Sequence, residues 1–225
     1  MGEKKAKKSQ DNLVFTEFKA KEFLKKYADM PKNVLLDPKE VKKTLLEKKL
    51  PSSITLPVVL KISSDFIVHK TEENAVKMVC HEIDFFKTLA DFEKRLSKYK
   101  ARGVIVEEYV KGQELIIGIK KDKTFGHVIG LGLGGIFTET IRDISFRACP
   151  ICSDEFNSMV SDLKFKNLIS GTRGKKNDVE ELKKIVIEIS KIPDKYPKIL
   201  ELDINPIILN EHYCKLVDAR IVFEK

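Results

Sequence analysis

Apolar and polar residues alternate along residues 200–205. Leu200, Leu202 and Ile204 fall on one face of a predicted strand, and Glu201, Asp203 and Asn205 on the other. A short return over residues 213–217 then brings up a further carboxylate, Asp218. Residues 103–109 (GVIVEEY) and 114–119 (ELIIGI) also read as strands, joined at Lys111 and Gly112. Residues 57–62 (PVVLKI) read as a buried strand interrupted by one cation, Lys61, and residues 76–80 and 127–133 are strand-like too. Helical spacing appears elsewhere. Phe85, Leu89, Phe92 and Leu96 share a face, as do Ala20, Phe23, Leu24 and Tyr27 after Thr16. Leu182, Ile185, Val186 and Ile189 follow a cap at Asn177 or Asp178. Asp37-Pro38-Lys39-Glu40 has the form of a capping box with proline in the first turn. Short strands mixed with helices predict an α+β fold rather than a strict βαβ winding.

Composition narrows this picture. With 225 residues and 42% hydrophobic content, the chain can build one large domain or two closely packed subdomains. The formal net charge of +8 favours anionic ligands, either nucleic acid or small phosphorylated molecules. The lysines are spread along the chain without a nucleic-acid motif or an aromatic–basic strip, which favours the small ligands. No apolar run reaches membrane-spanning length and no signal-peptide pattern opens the sequence. Of the four cysteines, Cys149 and Cys152 have C-x-x-C spacing but no second pair to complete a zinc site. Reduced, structural thiols in a cytoplasmic protein are expected.

Several residues carry candidate chemistry. Asp203, Asn205 and Asp218 are hard oxygen donors of the kind that hold Mg²⁺ beside phosphates, although a solvated acidic strand edge would look the same. Lys61 must meet an anion or reach water, because burying an ammonium alone is costly. Glu107, Glu108, Tyr109 and Val110 end a strand where backbone groups could read an adenine edge, and Glu107, Glu108 or Glu114 could accept from an exocyclic amine or ribose. Residues 130–135 contain a formal G-x-G-x-x-G, but Ile136-Phe137-Thr138-Glu139 just beyond is β-like, so a close-approach loop is expected rather than a dinucleotide fingerprint. His69 lies in a polar segment after the Lys61 strand, and a neutral imidazole can carry a phosphoryl group. Arg147 and Arg173 read equally as anion clamps or surface guanidinium groups.

In order, PVVLKI, IVHK, VEEYVKGQELIIG, FGHVIGLGLGGIFTE, DISFR, GTRG, ELDINP and VDAR resemble the nucleotide-binding β subunit of ADP-forming acyl-CoA synthetases, acetate–CoA ligase above all. These are ATP-grasp proteins related to the β subunit of succinyl-CoA synthetase. The resemblance runs from about Phe15 to the C-terminus. It implies two α+β subdomains holding ATP or ADP, here 15–102 and 103–225 after a Lys-rich tail at 1–14. It implies a phosphate contact for Lys61, an adenine hinge at Glu107 to Val110, and Mg²⁺ ligation by Asp203, Asn205 and Asp218. It also implies phosphate acceptance by His69 on a mobile loop, with Glu139 in the glycine-rich segment that approaches it.

One departure stands out. The family follows its His-Lys pair with Gly-Gly-Val, whereas this chain has Asn74-Ala75-Val76. The reaction implied is acyl-CoA + ADP + phosphate ⇌ acid + CoA + ATP. The CoA-binding module would then lie on a separate α subunit, in an assembly such as α2β2. The alternatives are the β subunit of a succinate– or malate–CoA ligase, which lacks the His69 segment, and a nucleotide-binding scaffold with a degenerate site.

Overall fold

The computed structural model describes residues 12–64, 67, 73–135, 143–171 and 176–225. The chain divides into two compact units, residues 29–112 and residues 1–28 with 113–225. The boundary expected at 102/103 falls inside a sheet of the first unit. The strand Gly103–Glu108 pairs on both sides there, and Leu13–Phe15, expected within the tail and the N-terminal subdomain, pairs instead with a C-terminal strand.

The 29–112 unit is a four-stranded antiparallel sheet of β2 (Asn33–Leu36), β5 (Gly103–Glu108), β3 (Val58–Ser63) and β4 (Val76–Val79), in that order. The helices α2 (Pro38–Glu47) and α3 (Glu82–Arg95) join it in one core with Leu60, Ile62, Val104, Val106, Phe85 and Leu89. The α2 start follows the expected capping box. Asp37 accepts from the Lys39 and Glu40 amides, and Glu40 accepts from the Asp37 amide at 2.9 Å. Reciprocal capping satisfies backbone donors that the first turn leaves without partners.

The larger unit holds a seven-stranded antiparallel sheet in the order β1 (Leu13–Phe15), β11 (Ala219–Phe223), β9 (Ile199–Leu209), β6 (Gln113–Asp122), β7 (Gly126–Leu133), β8 (Ile144–Ala148), with β10 (Cys214–Leu216) also pairing β9. Its helices are α1 (Glu17–Leu24), α4 (Ser153–Asp162), α5 (Lys166–Ser170), α6 (Val179–Ser190) and α7 (Ile192–Lys195). Asp178 caps α6 by accepting from the Glu181 amide, while the neighbouring Asn177 side-chain amide donates to the Leu168 and Ile169 carbonyls of α5. The two residues offered as alternative caps therefore serve different helices. The strands β5 and β6, though consecutive, belong to different sheets, so Lys111 and Gly112 do not form a hairpin turn.

Candidate functional site

The alternation along β9 places Leu202 and Ile204 in the core and leaves Glu201, Asp203 and Asn205 exposed. Register then surrounds the exposed set. Asp203 stands opposite Gly118 of β6 on one side and Arg220 of β11 on the other. The Asn205 backbone amide donates to the Asp218 carbonyl at 3.1 Å, which ties the amide-bearing residue to the further aspartate. Asp218 immediately precedes β11, so the missed strand β11 is what delivers it. Partial burial pushes the Asp203 carboxyl above the usual carboxylate range, reinforced by the charges of Glu201 and Asp218 and opposed by Arg220. Like charges gathered on one face favour a cation there. Among the described residues no group of three or more His, Cys, Asp or Glu side chains is arranged to hold a metal. Two carboxylates with one amide oxygen form a set suited to a metal that takes the rest of its shell from phosphate oxygens.

A cavity of about 390 Å³ opens on the same face, lined by Asp203, Glu201, Gly118, Lys120, Gly130 and Phe146 among others. Glycine shapes its surroundings. Within β7, a Cβ on Gly130 would meet the Phe146 ring at 2.9 Å and one on Gly132 would meet the Asp143 carbonyl at 2.6 Å. These glycines are mid-strand positions packed on β8, rather than parts of a turn. Only Gly134 and Gly135 fit the close-approach reading. The Gly134 amide donates to the Glu114 carbonyl at 2.8 Å, and Gly135, at φ +66°, leaves 2.6 Å between a hypothetical Cβ and Glu114 Oε2. The carboxylate of Glu114 thus lies directly beside the end of the Gly130–Gly135 run.

In the 29–112 unit, Lys61 is 4% exposed and its ammonium donates to Glu107 Oε1 at 2.7 Å. The partners lie diagonally across β3 and β5, because Val59 pairs with Glu107 and Lys61 with Ile105. Glu107, expected at an adenine edge, is instead 1% exposed and engaged with this cation. Glu108 accepts from the Lys32 amide at 3.3 Å, and the Tyr109 amide donates to the Pro57 carbonyl. Val110 is 9% exposed and Tyr109 37%. The Lys61 pair was missed because its members are 46 residues apart and only register brings them together.

His69, Glu139 and Arg173 lie outside the described residues. Arg147 is a fastener rather than an anion clamp, donating to Asp162 at 2.6 Å, Ser158 at 2.8 Å and Ser145 at 3.2 Å, which pins α4 to β8. Cys149 and Cys214 are thiols that burial pushes up to about 12.

Residues 5–223 match the ATP-grasp domain family. The chain is 37% identical over 78% of its length to acetate–CoA ligase [ADP-forming] I of Archaeoglobus fulgidus, and spans only 26% of that longer protein. It is 32% identical to acetate–CoA ligase [ADP-forming] I subunit beta of Pyrococcus furiosus, covering 96% of this chain and 94% of that one. The dinucleotide-forming acetyl-coenzyme A synthetase 1 of Candidatus Korarchaeum cryptofilum, solved with coenzyme A and Ca-AMPCP, superposes with a TM-score of 0.81 at 32% identity, covering 94% of this chain and 93% of that one. A second structure of that protein contains coenzyme A and Mg-AMPPCP, with its phosphohistidine segment pointing towards the nucleotide binding site, and has a TM-score of 0.75. No described helix is long and apolar enough to cross a membrane. With register, buried cation and acidic strand in place, the chain belongs to the ATP-grasp family, in the group that contains the β subunits of ADP-forming acetate–CoA ligases.

Proposed function

We propose that this chain is the nucleotide-binding β subunit of an ADP-forming acyl-CoA synthetase, binding ADP or ATP with Mg²⁺ and passing a phosphoryl group through His69. The carrying observation is the exposed acidic face of β9, where Asp203 and Asn205 meet Asp218 across the β9–β11 register. Those three residues would hold Mg²⁺, which when bound offsets phosphate charge so that one anion can approach another. Lys61 and the Glu107–Val110 stretch would also serve the nucleotide. Lys61 keeps a carboxylate partner that shares its charge, and a bound phosphate would compete for the ammonium. Glu114, beside the glycine-rich segment, would help steer that segment near the phosphates. Phosphohistidine transfer needs a proton on the second ring nitrogen, so that neutral imidazole leaves as ADP's terminal oxygen bonds phosphorus.

Relatives of similar identity carry acetate or 4-hydroxybutyrate in their names, so the acid is left to the partner, and the CoA-binding module would come from an α subunit, with α2β2 as the simplest symmetric assembly. The full chain is therefore expected to bind Mg-ADP in calorimetry yet make no acetyl-CoA from acetate, CoA and Mg-ATP. Adding the matched α subunit should restore synthesis. Synthesis by the single chain would overturn the division of labour, and absence of nucleotide binding would favour the scaffold alternative.

A further inference from the structure

A second cavity, of about 390 Å³, lies within the 29–112 unit, lined among others by Lys77 of β4 and by Lys87, Thr88, Asp91, Phe92 and Arg95 of α3. Helical spacing sets the α3 residues three or four apart along one side. Register brings Lys77 to them. It pairs with Leu60 of β3, a core residue, so its side chain leaves the sheet on the face that the helices cover. Lys61 is the next residue along β3 and points to the other face. The cavity and the Lys61–Glu107 pair therefore stand on opposite sides of one sheet.

The lining carries three cations against one carboxylate, a balance that attracts an anion. The Arg95 guanidinium is held in place, donating to the Asn74 carbonyl at 2.9 Å and to Asp91 Oδ2 at 3.3 Å. Lys77 and Lys87 are exposed and form no ion pair among the described residues. Thr88 is 3% exposed, and among the described residues its hydroxyl has no hydrogen-bond partner. A buried hydroxyl in that state destabilises the fold, and valine would fill the same volume without the penalty. Threonine on a helix adopts either of two χ1 rotamers, so the hydroxyl can turn to meet an anion in the cavity.

We propose that this cavity binds inorganic phosphate as the monohydrogen dianion. Its oxygens accept from the Lys77 and Lys87 ammonium groups, from a remaining Arg95 N–H and from the Thr88 hydroxyl. Asp91 supplies the selectivity. A carboxylate repels an anion unless that anion brings a hydrogen to donate, and monohydrogen phosphate carries one P–OH. Sulfate has none, and a phosphate monoester dianion has none either, so both would set bare oxygens against Asp91. The volume leaves room for waters that bridge the longer contacts. No residue of the proposed nucleotide site takes part, and the inference stands or falls apart from that reading.

The experiment titrates the full chain at pH 8, without nucleotide, with inorganic phosphate, sulfate and glycerol phosphate at constant ionic strength. Calorimetry reads affinity, and thermal melts read the stability of each variant. Phosphate should bind saturably, with sulfate and glycerol phosphate at least about 10-fold weaker, the scale of one charge-assisted hydrogen bond. Thr88→Val should lose about 10-fold in phosphate affinity, yet melt at or above the wild-type temperature in the absence of anion. Lys77→Gln and Lys87→Gln should each weaken phosphate and sulfate alike. Asp91→Asn should bring the phosphate and sulfate affinities together. Equal affinity for phosphate and sulfate in the wild type would overturn the assignment to monohydrogen phosphate. Phosphate binding unchanged in both Thr88→Val and Lys77→Gln would place the anion elsewhere, and no saturable binding would remove the site. A Thr88→Val melt well below wild type would show the hydroxyl already satisfied in the free chain, and would also count against the proposal.

Discussion

The two units place opposite charges under opposite conditions. In the 29–112 unit the key cation is dry: Lys61 and Glu107 are nearly solvent-free and meet at 2.7 Å. In the larger unit the key anions are wet: the Glu201 and Asp203 carboxylates project from the exposed face of β9, beside the neutral amide of Asn205. A buried ammonium without a carboxylate would be strongly unfavourable, so its partner is part of the fold. Partly exposed carboxylates can tolerate mutual repulsion, which together with partial burial pushes the Asp203 carboxyl up, and they keep their affinity for a cation. The dry cation is therefore tied to stability, and the wet anions are nearly independent of it.

Substitution should separate those two sets. The largest effect is expected from Lys61→Ala, which removes the ammonium facing the buried Glu107 carboxylate and should cost about 3–5 kcal/mol in denaturant unfolding. Lys61→Met with Glu107→Gln should recover most of that stability without recovering nucleotide binding. If Lys61→Ala left stability unchanged, the pair would not be structural. The next effect concerns packing around the wet face. Gly132→Ala pushes a Cβ to within 2.6 Å of the Asp143 carbonyl and should destabilise by about 1–3 kcal/mol. Gly118→Ala would bring its Cβ no nearer than 3.8 Å to the Leu202 carbonyl oxygen and should raise stability by roughly 0.4–1 kcal/mol. Thermal melts of the two variants moving in the same direction would break the contrast. Smallest in stability is Asp203→Asn, for which the metal-free chain should hold or gain about 0.5 kcal/mol.

The thiols offer a control on burial. Cys149 and Cys214, pushed up to about 12, should resist iodoacetamide at pH 8 in the native chain, while exposed Cys80 and Cys152 react. Because the raised values disfavour thiolate, labelling of half-buried Cys149 and buried Cys214 should rise only as pH climbs towards 12. Mass spectrometry of the labelled peptides reads this directly, and labelling of Cys214 at the rate of Cys80 would contradict the packing of β10.

Local features were legible in the sequence and non-local ones were not. The Asp37–Glu40 capping box and the β9 alternation depend on residues within one turn or one strand, and both appear as read. The diagonal between Lys61 and Glu107 depends on the β3–β5 register, which no local pattern specifies. Gly130 and Gly132 fall both in the stretch read as strand, 127–133, and in the run read as a close-approach loop; they are strand positions, and the close approach of β8 that leaves no room for a Cβ there is visible only once β8 is placed. The pairing of β1 with β11 likewise joins the two ends of the chain, so a stretch expected to straddle the tail and the N-terminal subdomain becomes an edge strand of the larger sheet.

The central claim is that Asp203 and Asn205 of β9 and Asp218, just before β11, bind Mg²⁺ for a nucleotide, and calorimetric titration of ADP with and without Mg²⁺ tests it most directly. Wild type should bind ADP more tightly with Mg²⁺, and Asp203→Asn should lose more than about 10-fold of that gain, a floor set by what losing even an outer-shell partner costs a metal site. Equal ADP affinity with Mg²⁺ and with chelator, or a gain retained in full by Asp203→Asn, would contradict it.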